Sequence, residues 1–338
     1  MSRRIPVLSY VLIGLVLAAS SSMAARKSGS TTAAFLKIST GARQAALGSA
    51  TTVLSDDINQ AFVNPAGITL NSGQLQATYT RNNWIADISY DAGAVGIGLD
   101  LPLLGESTIG LSLASLGKDD IPADRDFAPA LLPYEELSSS TYNYGESVIG
   151  LTIAKPFSDK LDMGITVKMI SSDIDDKSAS AIAVDAGAIY DVGYNGFTIG
   201  ARINNLGSDM KYVFIEEPLP LSFTIGAGID VVNTGSTQIR MMVDAAKPQD
   251  QDQLINWGTE YTYAEMVQFR GGYKLNYSGI RDDNDLEISD EGISFGAGLD
   301  LPLADVGLSG IGLRVDYNYS DFNNFDAVHR FTFNFQWQ

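Results

Sequence analysis

The sequence predicts an all-β fold, a transmembrane antiparallel β-barrel of about 14 strands with an N-terminal plug segment. Three observations lead there. From residue 74 onward, large apolar side chains alternate with small or polar ones at the two-residue repeat of a strand. The polar parity is rich in glycine (Gly96, Gly98, Gly226, Gly228, Gly296, Gly298), which suits a crowded interior better than a wetted surface. The connections alternate between short and longer, mostly acidic ones, the asymmetry of outer-membrane barrels.

Composition removes other classes. The chain of 338 residues carries 40 acidic and 22 basic side chains, one histidine (His329) and no cysteine. A surface this acidic is the reverse of what phosphate backbones attract, so nucleic acid is not an expected partner. Thiolate metal sites, cysteine nucleophiles and disulfides are excluded outright. A single histidine leaves no basis for multi-histidine catalysis. The chain is expected not to be an enzyme, with no cofactor and no metal.

Taken in order, residues 1–24 are expected to be a secretory signal peptide. Arg3 and Arg4 precede an apolar core from Ile5 to Ala19, and Ser22-Met23-Ala24 offers small residues for cleavage. The core is short for a bilayer-spanning helix, which needs about 20 residues.

Residues 25–73 do not alternate. Ala33 to Ile38 form a short apolar patch, Gly41 to Gly48 are alanine-rich and suit a turn of helix, and Asn64-Pro65-Ala66-Gly67 is a turn maker. A barrel of this size has a lumen too wide for wall side chains to fill. This segment is therefore expected to fold back inside as a plug.

Residues 74–338 are expected to form the barrel. Strands are expected at 74–80, 84–101, 107–116, 147–154, 161–171, 180–190 and 197–206, then 221–231, 237–246, 253–263, 267–277, 292–301, 310–319 and 328–337. The clearest runs from Leu161 to Met169, with Leu161, Met163, Ile165, Val167 and Met169 on one face and Asp162, Gly164, Thr166 and Lys168 on the other. In a membrane barrel the first face meets lipid and the second lines the lumen. Trp84, Tyr190, Tyr261, Tyr263, Tyr277, Tyr317, Tyr319 and Trp337 fall near strand ends, where aromatic girdles sit. The second strand changes parity near Asp91 to Ala94, which calls for a bulge or kink there, or else a tight hairpin. An even strand number leaves both chain ends on the periplasmic side. Gly96 to Leu103 and Gly296 to Leu303 repeat each other with Pro102 and Pro302 at the turn. Their G-x-G sits inside a strand with no helix after it, so dinucleotide binding is rejected.

The run Ala34 to Ile38, then Gly41-Ala42-Arg43-Gln44-Ala45-Ala46-Leu47-Gly48, then Asp56-Asp57, then Asn64-Pro65-Ala66-Gly67 resembles the opening of the PorV/PorQ family, within the FadL-like outer-membrane barrels. Thr40, Ser49 and the Phe62-Val63 pair depart from the family pattern. The resemblance implies a place in the outer membrane of a Gram-negative-type bacterium. It implies a role in type IX protein secretion and surface attachment, binding the C-terminal signal domains of cargo and working with the attachment machinery. FadL-like relatives imply the alternative, a channel for hydrophobic small molecules. The motif residues Gly41, Ala42, Arg43, Gly48, Asp56, Asp57, Asn64, Pro65 and Gly67 are the candidate plug determinants.

The lumen parity carries Lys168, Arg202, Arg240, Arg270, Lys274, Arg314 and Arg330, with Asp100, Asp162, Asp185, Asp230, Asp244, Glu260, Asp300 and Asp316. Near-balance of sign favours a cross-strand ion-pair network over a charged translocation path. The acidic loops at Asp173 to Asp176 and Asp282 to Glu287 are expected to be solvated surface, not Ca²⁺ sites. The loop 117–146, with Phe127, Leu131, Leu132 and Tyr134, is expected to cover the barrel mouth and contact cargo or ligand.

Overall fold

A computed structural model describes residues 30–123, 140–275, 291–303, 310–322 and 325–337. The expected signal peptide, the apolar centre of the 117–146 loop and the 282–287 cluster lie outside the described residues.

The alternating segments form β1 (Leu75–Asn83), β2 (Ser89–Leu101), β3 (Gly105–Ala123), β4 (Ser140–Ser158), β5 (Leu161–Ile174), β6 (Lys177–Asp191) and β7 (Thr198–Gly207). After a short pair, β8 (Met210–Lys211) and β9 (Glu216–Glu217), come β10 (Ser222–Thr234), β11 (Thr237–Pro248), β12 (Leu254–Tyr263) and β13 (Val267–Leu275). β14 (Ile293–Pro302), β15 (Ile311–Ser320) and β16 (Val328–Trp337) complete the set. All but β8 and β9 join one closed antiparallel barrel, 14 strands in sequence order. Closure pairs Leu75 with Trp337 and Asn82 with Arg330, which leaves the barrel no free edge.

The inside-out pattern is explicit in β5. Met163, Ile165, Val167 and Met169 leave 46%, 50%, 51% and 58% of their surface exposed, while Thr166 and Lys168 are buried. Leu111, Leu113, Ile149, Leu151, Phe269, Phe295 and Phe331 extend the exposed apolar face around the wall. An apolar belt on the outside of a closed barrel is the surface that hydrocarbon covers.

The strands reach farther than alternation alone indicated. β5 and β6 pair out to Ile174 and Lys177, so the expected 172–179 loop shrinks to a turn at Asp175 and Asp176.

The expected kink near Asp91 to Ala94 does not occur. β2 pairs without register shift from Ser89 to Leu101 with β3, and with β1 over Ser89 to Ile97. Trp84 and Ile88 lie before the strand, in a connection whose centre, Ala86 and Asp87, takes positive φ. Tyr90 and Ala92 face inward with Gly96 and Gly98, so parity never changes. The misleading signal is physical: this part of the lumen is apolar, and an apolar side chain there points in.

The interior has two zones. At the long-loop end, Phe35, Tyr90, Leu116, Val148, Ile170, Met210 and Leu219 form a buried apolar cluster. Toward the short-turn end, the lumen holds polar side chains and glycines, met by residues 41–73. That segment contains one short helix, α1 (Ala42–Ala46), and single 3₁₀ turns at Ala34–Lys37, Ile58–Phe62 and Pro65–Ile68. Asp57 and Asn64 accept from the Asn59 and Ala66 N–H groups and cap the last two.

The expectation that both chain ends share one side holds for the barrel termini, Leu75 and Trp337. It fails for the described N-terminus. The Thr32 N–H donates to the Pro218 carbonyl at the long-loop end, whereas the Gly73 N–H donates to the Gly98 carbonyl at the other.

Candidate functional site

Two features occupy the lumen. The first is an ionic network between the N-terminal segment and the wall. Arg43 of α1 grips Glu260 of β12 in a two-point contact, Nε to Oε2 at 2.9 Å and Nη2 to Oε1 at 2.7 Å. Its Nη1 reaches Asp57 Oδ2 at 3.3 Å, and Arg314 Nη2 meets the same oxygen at 3.2 Å. Arg270 bridges Glu260 and Asp316, both at 2.6 Å, and Arg314 Nε returns to Asp316 at 3.0 Å. Asn334 donates to Asp316 and accepts from Asn59, extending the chain back to the segment.

Three guanidinium groups thus face three carboxylates, Asp57, Glu260 and Asp316, in a neutral cluster. Buried charges persist only where each has a partner. Planar forked contacts are the geometry that makes such pairing strong.

The other expected lumen charges are met locally, some by ion pairs and some by neutral groups. Lys168 lies 2.8 Å from Asp185, Arg240 3.4 Å from Asp230 and Lys274 2.5 Å from Glu291. Arg202 donates to Thr52 Oγ1 at 2.9 Å and to Asn204 Oδ1 at 2.8 Å. Asp244 receives the Thr51 and Thr52 N–H groups and the Thr52 hydroxyl. Asp300 accepts from Gln268 at 2.7 Å. Arg330 is fully buried, hydrogen-bonded to Asn318 and Ser320, with its guanidinium 5.1 Å from the centre of the Trp84 ring. These charges are held in wall-to-wall and wall-to-segment contacts, and Lys168, Arg202, Lys274 and Glu291 also border the cavity described below. Asp100 and Asp162 stand near the short-turn rim, outside the network.

The motif residues divide by task. Ala42 and Gly48 seat α1 against the wall, where the Ala42 N–H donates to Thr332 Oγ1 at 2.8 Å, while Gly41 makes room for the Gln44 side chain within the segment. A Cβ on Gly48 would come 2.7 Å from the Tyr273 nitrogen. A Cβ on Gly67 would collide with the Leu54 carbonyl and the Gln60 side chain. The Asn64 amide donates to the Thr52 carbonyl at 2.6 Å, and Pro65 lies against Gly164. Asp56 has positive φ and an exposed side chain, and it meets the wall only through its backbone carbonyl, which accepts from Gln76 Nε2 at 3.3 Å.

The inward glycines explain the fit. A Cβ on Gly258 would come within 2.6 Å of the Leu47 carbonyl oxygen, and one on Gly228 within 2.9 Å of Val53 Cγ2. Gly96, Gly98, Gly164, Gly187, Gly272 and Gly296 likewise meet the segment, which touches the wall on most sides.

The second feature is a cavity of about 500 Å³ in the long-loop half. Phe35, Leu36, Ile38 and Phe62 of the segment face Tyr90, Ala114, Leu116, Tyr144 and Val148 of the wall across it. Trp84, Ile88 and Phe322 from the connections close over it, with Trp84 and Phe322 edge to face at 5.1 Å. Its polar side carries Lys168, Arg202, Asn204, Thr224, Asn256, Lys274 and Glu291.

Sequence reading missed this cavity, because its residues come from separate strands and connections. Phe35 and the inward Tyr90 were visible only as apolar letters. The partnership of Asp57 with Arg43 and Arg314 also left no local signal.

No protein-family model and no curated protein matches the sequence. The fold, by contrast, is shared with solved barrels. The toluene transporter TbuX of Ralstonia pickettii superposes with a TM-score of 0.54 at 12% identity, covering 88% of this chain and 98% of that one. The toluene transporter TodX of P. putida gives 0.53 at 10% identity, with coverage of 88% and 98%. A FadL homologue of Pseudomonas aeruginosa gives 0.51 at 11%, again covering 88% and 98%. The chain has the 14-stranded FadL-like fold of outer-membrane barrels. Together with the apolar belt, the fold places it in the outer membrane.

Proposed function

We propose that this barrel takes up hydrophobic small molecules from the cell exterior, with residues 25–73 serving as its plug. The observation that carries this reading is the aromatic-lined cavity of about 500 Å³ directly above the polar, glycine-seated part of the lumen. Pockets that bind small apolar ligands have this character, mostly apolar walls with a few placed polar groups. The similar structures TbuX and TodX are toluene transporters, and CymD, of the same fold, is a monoaromatic hydrocarbon channel, which supports the reading. A ligand in the cavity rests on the segment, so passage onward requires the segment to shift or the ligand to leave sideways.

Trp84 reports on the cavity. In a variant whose other two tryptophans, Trp257 and Trp337, are replaced by Phe, toluene should change Trp84 emission saturably. Ala114→Trp puts a ring into the cavity and should abolish saturation in a Trp84→Phe uptake assay, while Leu113→Trp, on the lipid face, should not. Equal uptake by the two variants would sink the proposal.

A second reading is a PorV/PorQ-like role in type IX secretion and surface attachment. The plug motif supports it, and so does a lumen whose charges are mostly held in contacts within the wall or between segment and wall, since a docking barrel needs no open pore. Its partners would be cargo C-terminal signal domains and the attachment machinery. Purification from membranes separates the readings: a signal domain that co-purifies and is displaced by changes in the loops, with no effect of Ala114→Trp, favours docking.

A further inference from the structure

The N-terminal segment touches opposite ends of the barrel with its two ends. At the long-loop end, Thr31 Oγ1 donates to Asp250 Oδ2 at 2.6 Å, Lys37 Nζ meets the same oxygen at 2.7 Å, and the Thr32 N–H donates to the Pro218 carbonyl at 3.0 Å. Asp250 lies in the β11–β12 connection and Pro218 in the β7–β10 connection. Farther along, the Leu70 N–H donates to Thr108 Oγ1 at 2.7 Å near the start of β3, and Gly73 binds Gly98 near the end of β2. In between, the segment passes Thr332, Asp244 and Gln76 in turn, each a wall residue.

Short turns mark the periplasmic rim of such barrels and longer loops the external face. We propose that the chain enters its own lumen from outside. Ser30 to Thr32 are displayed at the cell surface, and the polypeptide then runs inward through the barrel before β1 starts at the periplasmic rim. The outer end is latched by Asp250, whose carboxylate gathers Thr31 and Lys37. The latch is neutral as a pair, and it sits beside the apolar packing of Phe35, so the surface end is held by both kinds of contact.

The absence of native cysteine makes the test direct. Ser30 and Ser72 are both exposed, and neither side chain makes a hydrogen bond among the described residues. Ser30→Cys and Ser72→Cys should each assemble, as shown by heat-modifiable mobility on gels. Intact cells are treated with a membrane-impermeant maleimide. Ser30→Cys should label fully, and Ser72→Cys only after the outer membrane is opened. Reversed labelling, labelling of both from outside, or labelling of neither from outside would each overturn the inference. The readout does not involve the cavity, so failure of hydrocarbon uptake and failure of this topology are separable.

Discussion

Gly271 and Gly272 are neighbours in β13 that face opposite ways. A Cβ on Gly272 would strike the backbone of Leu47 and Gly48, which cannot rotate aside, whereas one on Gly271 meets only Phe295 at 4.0 Å. Gly272→Ala should therefore cost about 1–3 kcal/mol through overpacking. Gly271→Ala should stay within about 0.5 kcal/mol, as substitutions away from packed features do. The midpoint of urea unfolding in detergent, followed by gel mobility, checks both. Arg43 offers a test of charge. Arg43→Met leaves Arg270 and Arg314 to balance three carboxylates, one buried negative charge in excess, and should cost about 3–5 kcal/mol. Adding Glu260→Gln leaves Arg270 and Arg314 facing Asp57 and Asp316, again balanced, so part of the loss should return. No recovery in the double variant would mean that the network is not the holding element.

The N-terminal segment is the element whose attachment responds to pH. Burial pushes the Asp250 carboxyl up, but the Lys37 ammonium and the Thr31 hydroxyl outweigh this and hold it below the ordinary aspartate value. A carboxylate with a lowered folded value contributes stability that is complete above its unfolded value and is lost as pH falls through the folded one. The latch should thus be intact at neutral pH and loosen as pH falls below about 4, the ordinary aspartate value. The protection factors of residues 31–38, their exchange rates referred to the intrinsic rate at each pH, should fall over that range. Asp250→Asn should show faster exchange at neutral pH and lose the acid response. This element was half legible. Its turn signals, its alanine-rich start and its need for a wide lumen all pointed inward. Its direction of travel was not legible, because no local pattern says which end of a barrel Thr31 will meet.

At the scale of the whole molecule, a barrel this wide stays closed to ions only if something fills it. Deleting residues 41–68 should convert a poorly conducting protein into a stable open pore in planar bilayers. Unchanged conductance would count against the plug. The belt of Leu111, Ile149, Val167 and Phe269 should keep both forms dependent on detergent or lipid. The FadL-like fold is reached at identities of 10–12%, so it reflects the closure of 14 alternating strands and not retained side chains.

Alternation along the chain by itself determined where most strands lie and which residues share a face, because a strand's two faces are read directly from successive residues; that the apolar face points outward rested also on the glycine-rich polar parity and the alternating loop lengths. The lumen charges were legible as a set. Which of them pair was decided only by tertiary structure, since Arg43 and Glu260 or Asp57 and Arg314 meet across a cylinder and not along a strand. The apolar cavity was likewise invisible beforehand. The rule that polar side chains face the lumen holds where the segment's backbone must be met, and it gives way at Tyr90, Leu116 and Ile170, where apolar wall packs on Phe35. Only the folded barrel brings those residues to one side.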